Sequence, residues 1–172
     1  HVGNTSAPAT EHLRFTTGAT EDSNVYWNDT APTSTVFSLG NQVNVNENAN
    51  TYVAYVFTPI EGYSKFDGYE GNGNADGTFV YTGFRPAWIM FKRTDSTNHW
   101  LMLDNKRNVN NPVHKFLLAN ATDAEDTSND QDTDFTSNGF KVRNSNARNN
   151  ASGGTYIYMA FAEAPFKYAL AR

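Results

Sequence analysis

The chain contains no cysteine, which removes both a disulfide framework and a thiolate metal site from consideration. It has no long apolar run either. The most apolar stretch near the C-terminus, TYIYMAFAEAPF from Thr155, reaches Ala162 and then meets Glu163, well short of the roughly 20 apolar residues that a membrane crossing needs. A basic surplus is also missing: 13 Lys and Arg stand against 18 Asp and Glu, for a net charge of −5. A nucleic-acid binder needs a concentrated basic face, so no nucleic-acid partner is expected. The two short basic clusters, Phe91-Lys92-Arg93 and Lys106-Arg107, read as solvated surface. The opening HVGNTSAPATEH has no basic segment leading into an apolar core, hence no signal-peptide pattern. A first residue of His1 rather than Met gives the expectation of a chain that begins inside a longer product or follows processing.

Catalytic patterns are equally scarce. The Glu-x-Asp-x-(x)-Glu spacing that puts a pair of glycosidase carboxylates on one strand face is absent. So are the Gly-x-Ser-x-Gly elbow and the His-Glu-x-x-His helix. His12, His99 and His114 stand far apart and read as half-buried strand or loop residues rather than ligands, because metal sites draw several ligands together. No enzyme activity, cofactor or metal is expected.

What the chain does have is many short apolar strips between Asn-, Asp-, Thr- and Gly-rich stretches, with 14% aromatic residues inside a hydrophobic total of 38%. That balance favours an all-β protein. Phe79 to Tyr81, Ala87 to Lys92, Trp100 to Leu103, Phe116 to Leu118, Gly139 to Val142 and Thr155 to Phe161 read as strands, being β-branched or aromatic and bounded by breakers. Such spacing predicts a sandwich or barrel. Thr51 to Thr58, TYVAYVFT, reads as a further buried strand ending at Pro59, and Phe166 to Arg172 as a helical turn.

Two parts of the chain also echo each other. His12 aligns with His114 and Ala19-Thr20 with Ala121-Thr122; Ser38, Gly40 and Val43 align with Ser137, Gly139 and Val142; TYVAYVF from Thr51 aligns with TYIYMAF from Thr155. The offsets, 114 − 12 = 102, 139 − 40 = 99 and 155 − 51 = 104, drift only through polar loops, as insertions do. The predicted organisation is a repeat of about one hundred residues: residues 1–65 form the C-terminal part of an upstream unit, and residues 66–172 a complete one. The complete unit is expected to fold without the first part, and the first part not to fold alone.

Four stretches could carry ligands. Asn72-Gly73-Asn74-Ala75-Asp76-Gly77 fits the first half of a calcium loop, but position 83, where a bidentate Glu belongs, is Gly83; a glycine-rich hairpin turn is the preferred reading. Asp123, Glu125, Asp126, Asp130, Asp132 and Asp134 crowd carboxylates together and read as a solvated acidic loop. The Asn-x-Ser/Thr sequons at Asn4, Asn28, Asn120 and Asn150 carry no information, because 22 Asn and 29 Ser plus Thr in 172 residues give about four by chance. Finally, Tyr26-Trp27 in the polar setting SNVYWNDT is the candidate aromatic face for a sugar, the alternatives being strand-edge packing or a subunit contact. Trp88 and Trp100 lie in apolar runs and read as core.

The succession GYEGNGNADGTFVYTGFRPAWIMFKRTD, HKFLLANATDAEDT, DFTSNGFKV and GGTYIYMAFAEAPF resembles a repeat of structural, tail-fibre-like proteins of marine tailed bacteriophages. The resemblance spans Gly68 to Phe166, and the N-terminal third resembles the second half of the same pattern. It implies an antiparallel β-sandwich of the concanavalin A-like (jelly-roll) lectin type on a virion surface, outside the cell and facing the host. It further implies adhesion to host-surface glycan, contacts with other virion proteins and a homo-oligomer, with a trimer by analogy; it carries no binding residues. A purely architectural capsid or tail decoration protein is the alternative, and a glycan-cleaving domain a weaker third.

Overall fold

The computed structural model describes residues 9–164; the helical turn expected over Phe166 to Arg172 lies outside them. The elements in chain order are β1 (Glu11–His12), β2 (Glu21–Asp22), the helical turns α1 (Asn24–Trp27) and α2 (Val43–Asn46), β3 (Ser64–Glu70), β4 (Phe79–Tyr81), β5 (Pro86–Arg93), β6 (Leu101–Asp104), β7 (Phe116–Leu118), a 3₁₀ turn at Asn129–Gln131, β8 (Thr133–Thr136), β9 (Gly139–Val142) and β10 (Thr155–Ala162). The protein is all-β and every strand pair is antiparallel. A five-stranded sheet has the order β3-β10-β5-β6-β7, a three-stranded sheet the order β4-β9-β8, and β1 pairs with β2.

One core joins the two larger sheets. Ile89, Phe91, Leu101, Leu103, Phe116, Tyr158 and Ala160 from the five-stranded sheet share a buried cluster with Val80, Phe135, Phe140 and Val142 from the three-stranded one. Strand alternation explains the selection, because successive side chains point to opposite faces. At its centre Phe140 meets Phe91 (5.3 Å), Tyr158 (5.3 Å) and Tyr69 (5.9 Å) edge to face, the geometry that the ring quadrupoles favour. Each such ring contributes about 1.5–3 kcal/mol by burial. Gly139 opens β9 because a Cβ there would lie 2.1 Å from the Val80 carbonyl oxygen. The close β4–β9 approach therefore needs glycine.

The second face of the five-stranded sheet is also apolar. Phe66, Met159, Met90, Met102 and Leu117 stand in direct cross-strand register across all five strands. The N-terminal segment lies over one end of this face: Phe15 stacks on Trp100 (5.4 Å), the Trp100 indole N–H donates to Arg14 O (3.0 Å), and Thr20 N donates to Thr94 O (2.8 Å).

Several expectations are corrected. Thr51 to Thr58 is not a strand but an extended, exposed segment: Val53 is 77%, Tyr55 82% and Val56 74% accessible. A strand needs neighbours for its backbone groups, and those that flank its sequence twin β10 are β3 and β5; nothing equivalent flanks Thr51 to Thr58 among the described residues. The 72–77 loop is not a hairpin turn, since it links β3 and β4 in different sheets. Trp88 and Trp100 are half-buried rather than core, because Ile89, Phe91, Leu101 and Leu103 take the inward positions. Lys92, expected in solvent, is fully buried on the second face.

The burial of Lys92 has a pH consequence. Its ammonium donates to Arg93 O (2.6 Å) and Thr17 O (3.5 Å), and desolvation lowers its pKa from 10.5 to about 8, against the pull of Asp95. Between about pH 8 and 10.5 the folded lysine is neutral while the unfolded one is still charged, so the unfolded state binds more protons. Stability therefore rises with pH across that window. Lys92→Met should raise stability at pH 7 by about 1–3 kcal/mol. The difference between wild type and variant in urea unfolding should shrink steadily from pH 7.5 to 9.5; a constant difference would refute the buried-charge account.

Candidate functional site

The segment SNVYWNDT forms α1, with Asn28 left-handed at its end (φ 54°). Its two aromatic residues meet different fates. Tyr26 is buried: its ring stacks on His12 (3.8 Å), and its hydroxyl accepts from Arg14 Nη2 (2.9 Å) and Asn44 Nδ2 (3.3 Å). Tyr26 therefore offers no face to a ligand and instead holds α1 against β1. His12 is almost fully buried, and that desolvation lowers its pKa despite Glu21 at 3.6 Å. Trp27 is half-buried, with its indole N–H donating to Glu11 O (3.1 Å). The same turn contributes Asn24, Val25 and Asn28 to a shallow polar dish of about 480 Å³, closed by Leu39, Asn41 and Asn46.

A second groove, of about 590 Å³, lies where three strands of the five-stranded sheet end. Trp88 near the start of β5 faces Phe161 of β10 on one side (centroids 5.8 Å) and Asp104 of β6 on the other. The sequence LDNKR builds its rim. Asp104 Oδ1 accepts from the backbone N–H of Lys106 (2.9 Å) and Arg107 (2.8 Å), the local bonding by which Asp fixes a turn. Asn105 N donates to Ala87 O (2.9 Å), sewing the turn to β5. Arg107 pairs with Asp104 and with Glu125 (2.8 Å), and Lys106 pairs with Glu163. Lys106, through its hydrogen bond and charge, holds the Glu163 carboxyl below its usual pKa.

This combination has definite chemical uses. A half-exposed indole supplies an apolar face, and at its edge stand planar donor and acceptor groups: Asp104 held by backbone N–H groups, Arg107 by Asp104 and Glu125, and Asn105 by Glu163. That suits a flat polyol ligand with one C–H-rich side. Proton transfer is poorly served, because Asp104 and Glu163 are each tied to a cation. Trp88 was legible only as an apolar strand residue, and the signal that marks the groove is the Asp-Asn-Lys-Arg turn directly after a strand.

The other candidate stretches are engaged in local structure. In the 72–77 loop, Asn72 Oδ1 accepts from Asn74 N (3.0 Å), Asn74 Oδ1 from Asp76 N (2.9 Å), and Asp76 pairs with Lys141 (2.7 Å), which lowers its pKa. In the acidic stretch, Glu125 pairs with Arg107, Asp134 with Arg143 (2.6 Å), and the Asp130 carboxylate accepts from Asn146 Nδ2 (3.0 Å). Asp132 is different: burial pushes its pKa up, against the pull of His114 at 3.9 Å. Among the described residues no group of three or more His, Asp and Glu could hold a metal ion, and no helix is long and apolar enough to cross a membrane.

No curated protein and no solved structure matches the chain. Residues 1–165 match a family described as a domain of unknown function, DUF7483, a span that takes in α1, the Trp88 groove and both larger sheets. The chain belongs to the DUF7483 family.

Proposed function

We propose that the chain is a non-enzymatic module of a virion surface appendage, outside the cell, that adheres to host-surface glycan through the Trp88 groove. The resemblance to tail-fibre-like phage proteins motivates the setting. Two antiparallel sheets sharing one core fit a concanavalin A-like sandwich, the finer form of the all-β architecture. The observation that carries the binding role is the groove itself, with one aromatic face beside Asp104, Asn105, Lys106, Arg107 and Glu163. A glycan array should show binding by the wild type and about two- to tenfold weaker binding by Trp88→Ala, the worth of one aromatic contact of about 0.5–1.5 kcal/mol. An array with no bound glycan would remove the adhesive role. Loss of binding in Trp27→Ala but not in Trp88→Ala would move the site to the α1 turn.

A second reading, an architectural protein touching only other virion proteins, is favoured by one observation. Val36, Phe37, Leu39, Val43, Val53 and Tyr55 are all exposed within a short span of sequence, and exposed apolar side chains of that number suit contact with another protein.

A further inference from the structure

We propose that Thr51 to Phe57 is a donor strand that adds to the free edge of β3 in a second copy of this chain. The inference is independent of whether the groove takes a glycan. The segment is built as a strand with two buried faces: Val53 and Tyr55 alternate with Tyr52, Ala54 and Val56, so neither set of side chains is polar. Its twin TYIYMAF is β10, where Tyr156, Tyr158 and Ala160 enter the core and Ile157, Met159 and Phe161 cover the second face. In β10 that sequence pairs antiparallel with β3, from Thr155 opposite Glu70 to Phe161 opposite Ser64.

Among the described residues no strand covers the other edge of β3, the terminal strand of its sheet; only its ends are engaged, Ser64 by Ile60 and the Glu70 C=O by Thr78 Oγ1 (2.8 Å). Ser64 exchanges both backbone hydrogen bonds with Ile60 (3.0 and 2.9 Å). By the alternation of an antiparallel ladder, the even-numbered residues of β3 therefore direct their backbone groups away from β10. That edge offers the N–H and C=O of Phe66 and the C=O of Gly68. The Gly68 N–H donates only to the neighbouring Asp67 Oδ1 (2.9 Å), which an incoming carbonyl can replace.

Pairing within one chain is disfavoured by the position of Phe57. Its ring lies over the second face of the sheet, against Phe66 (5.8 Å) and Phe161 (6.1 Å), the antiparallel contact with β3 stops at the Ile60–Ser64 bridge, and residues 51–56 form no ladder with their own β3. Charge does not oppose a like partner: no Asp, Glu, Lys or Arg occurs from Thr51 to Ile60, so two copies that each carry −5 can meet there without direct repulsion. Main-chain hydrogen bonds to an open edge would give affinity, and the alternating side chains specificity.

Sedimentation equilibrium of the wild type should show a species larger than the 19.1 kDa chain. Tyr55→Pro changes a residue that is 82% exposed and should leave the thermal transition in place while reducing the associated fraction at least about tenfold, since proline removes a ladder donor. Hydrogen exchange should show Val53 to Phe57 and the edge-facing amides of Phe66 and Gly68 protected in the wild type and faster in Tyr55→Pro, with β5 and β10 unchanged. A monomeric wild type at about 100 μM, association that survives Tyr55→Pro, or protection of Val53 to Phe57 with β3 exchange unaltered would each overturn the proposal.

Discussion

Asn150→Ala should cost about 3–5 kcal/mol, seen as a lower midpoint of urea unfolding with little change in slope. Asn150 is fully buried, and its amide nitrogen donates to Asn72 Oδ1 (3.0 Å), Asn74 O (2.9 Å) and Asn144 O (2.6 Å) while its Oδ1 accepts from Asn72 N (3.0 Å). One side chain thereby fastens the 72–77 loop to the Asn-rich connection between β9 and β10. Alanine removes the bonds and leaves the Asn72 N–H and the Asn74 and Asn144 carbonyls without that mate, while Asn72 Oδ1 keeps Asn74 N; each group left unpaired costs about 1–3 kcal/mol where water cannot reach. Asn150→Asp should be at least as damaging, because it turns the donor into an acceptor facing three acceptors. A loss below about 1 kcal/mol would mean that water replaces the amide. The same burial makes the Asn150 sequon unusable in the folded state, since a glycan would have to attach to the enclosed nitrogen.

The sequence was most legible where strands were short, apolar and bounded by breakers. Phe79–Tyr81, Phe116–Leu118 and Gly139–Val142 were expected with these same bounds. It misled where both faces of a strand are apolar: the run Ala87 to Lys92 gives no alternation from which to tell Ile89 and Phe91, which enter the core, from Trp88 and Lys92, which do not. β3 was missed because Lys65, Asp67, Gly68 and Glu70 give it the composition of a loop; an edge strand tolerates charge, and charge there discourages stray pairing. The polar setting of Tyr26 also misled. Its neighbours Asn24, Val25 and Asn28 face the dish, while His12, far off in sequence, covers the ring. Contacts between distant segments leave no local signal, and the groove depends on three such segments meeting.

A fragment starting at Ile60 should unfold cooperatively, whereas residues 1–63 alone should show no cooperative transition. Every strand of the two larger sheets lies between Ser64 and Ala162, and the Ile60–Ser64 bridge sets the start slightly earlier than the sequence boundary at residue 66. Residues 9–63 hold only two two-residue strands and two four-residue helical turns, too little to bury an apolar core against the entropy of ordering the backbone, about 1–2 kcal/mol per residue. The fragment should still be weaker than the whole chain by about 1–3 kcal/mol, because Trp100 loses the stacked Phe15 ring and its bond to Arg14 O. The same cut uncovers Lys92 by removing Thr17. Its ammonium then regains water, its pKa returns toward 10.5, and the rise of stability with pH between about 8 and 10.5 that marks the full chain should flatten in the fragment. Calorimetry of both constituents at pH 7.5 and 9.5 checks each step. A cooperative melt from residues 1–63, or an unfolded fragment from residue 60 onward, would show that the first third is part of the core structure and not a cover laid over one face of it.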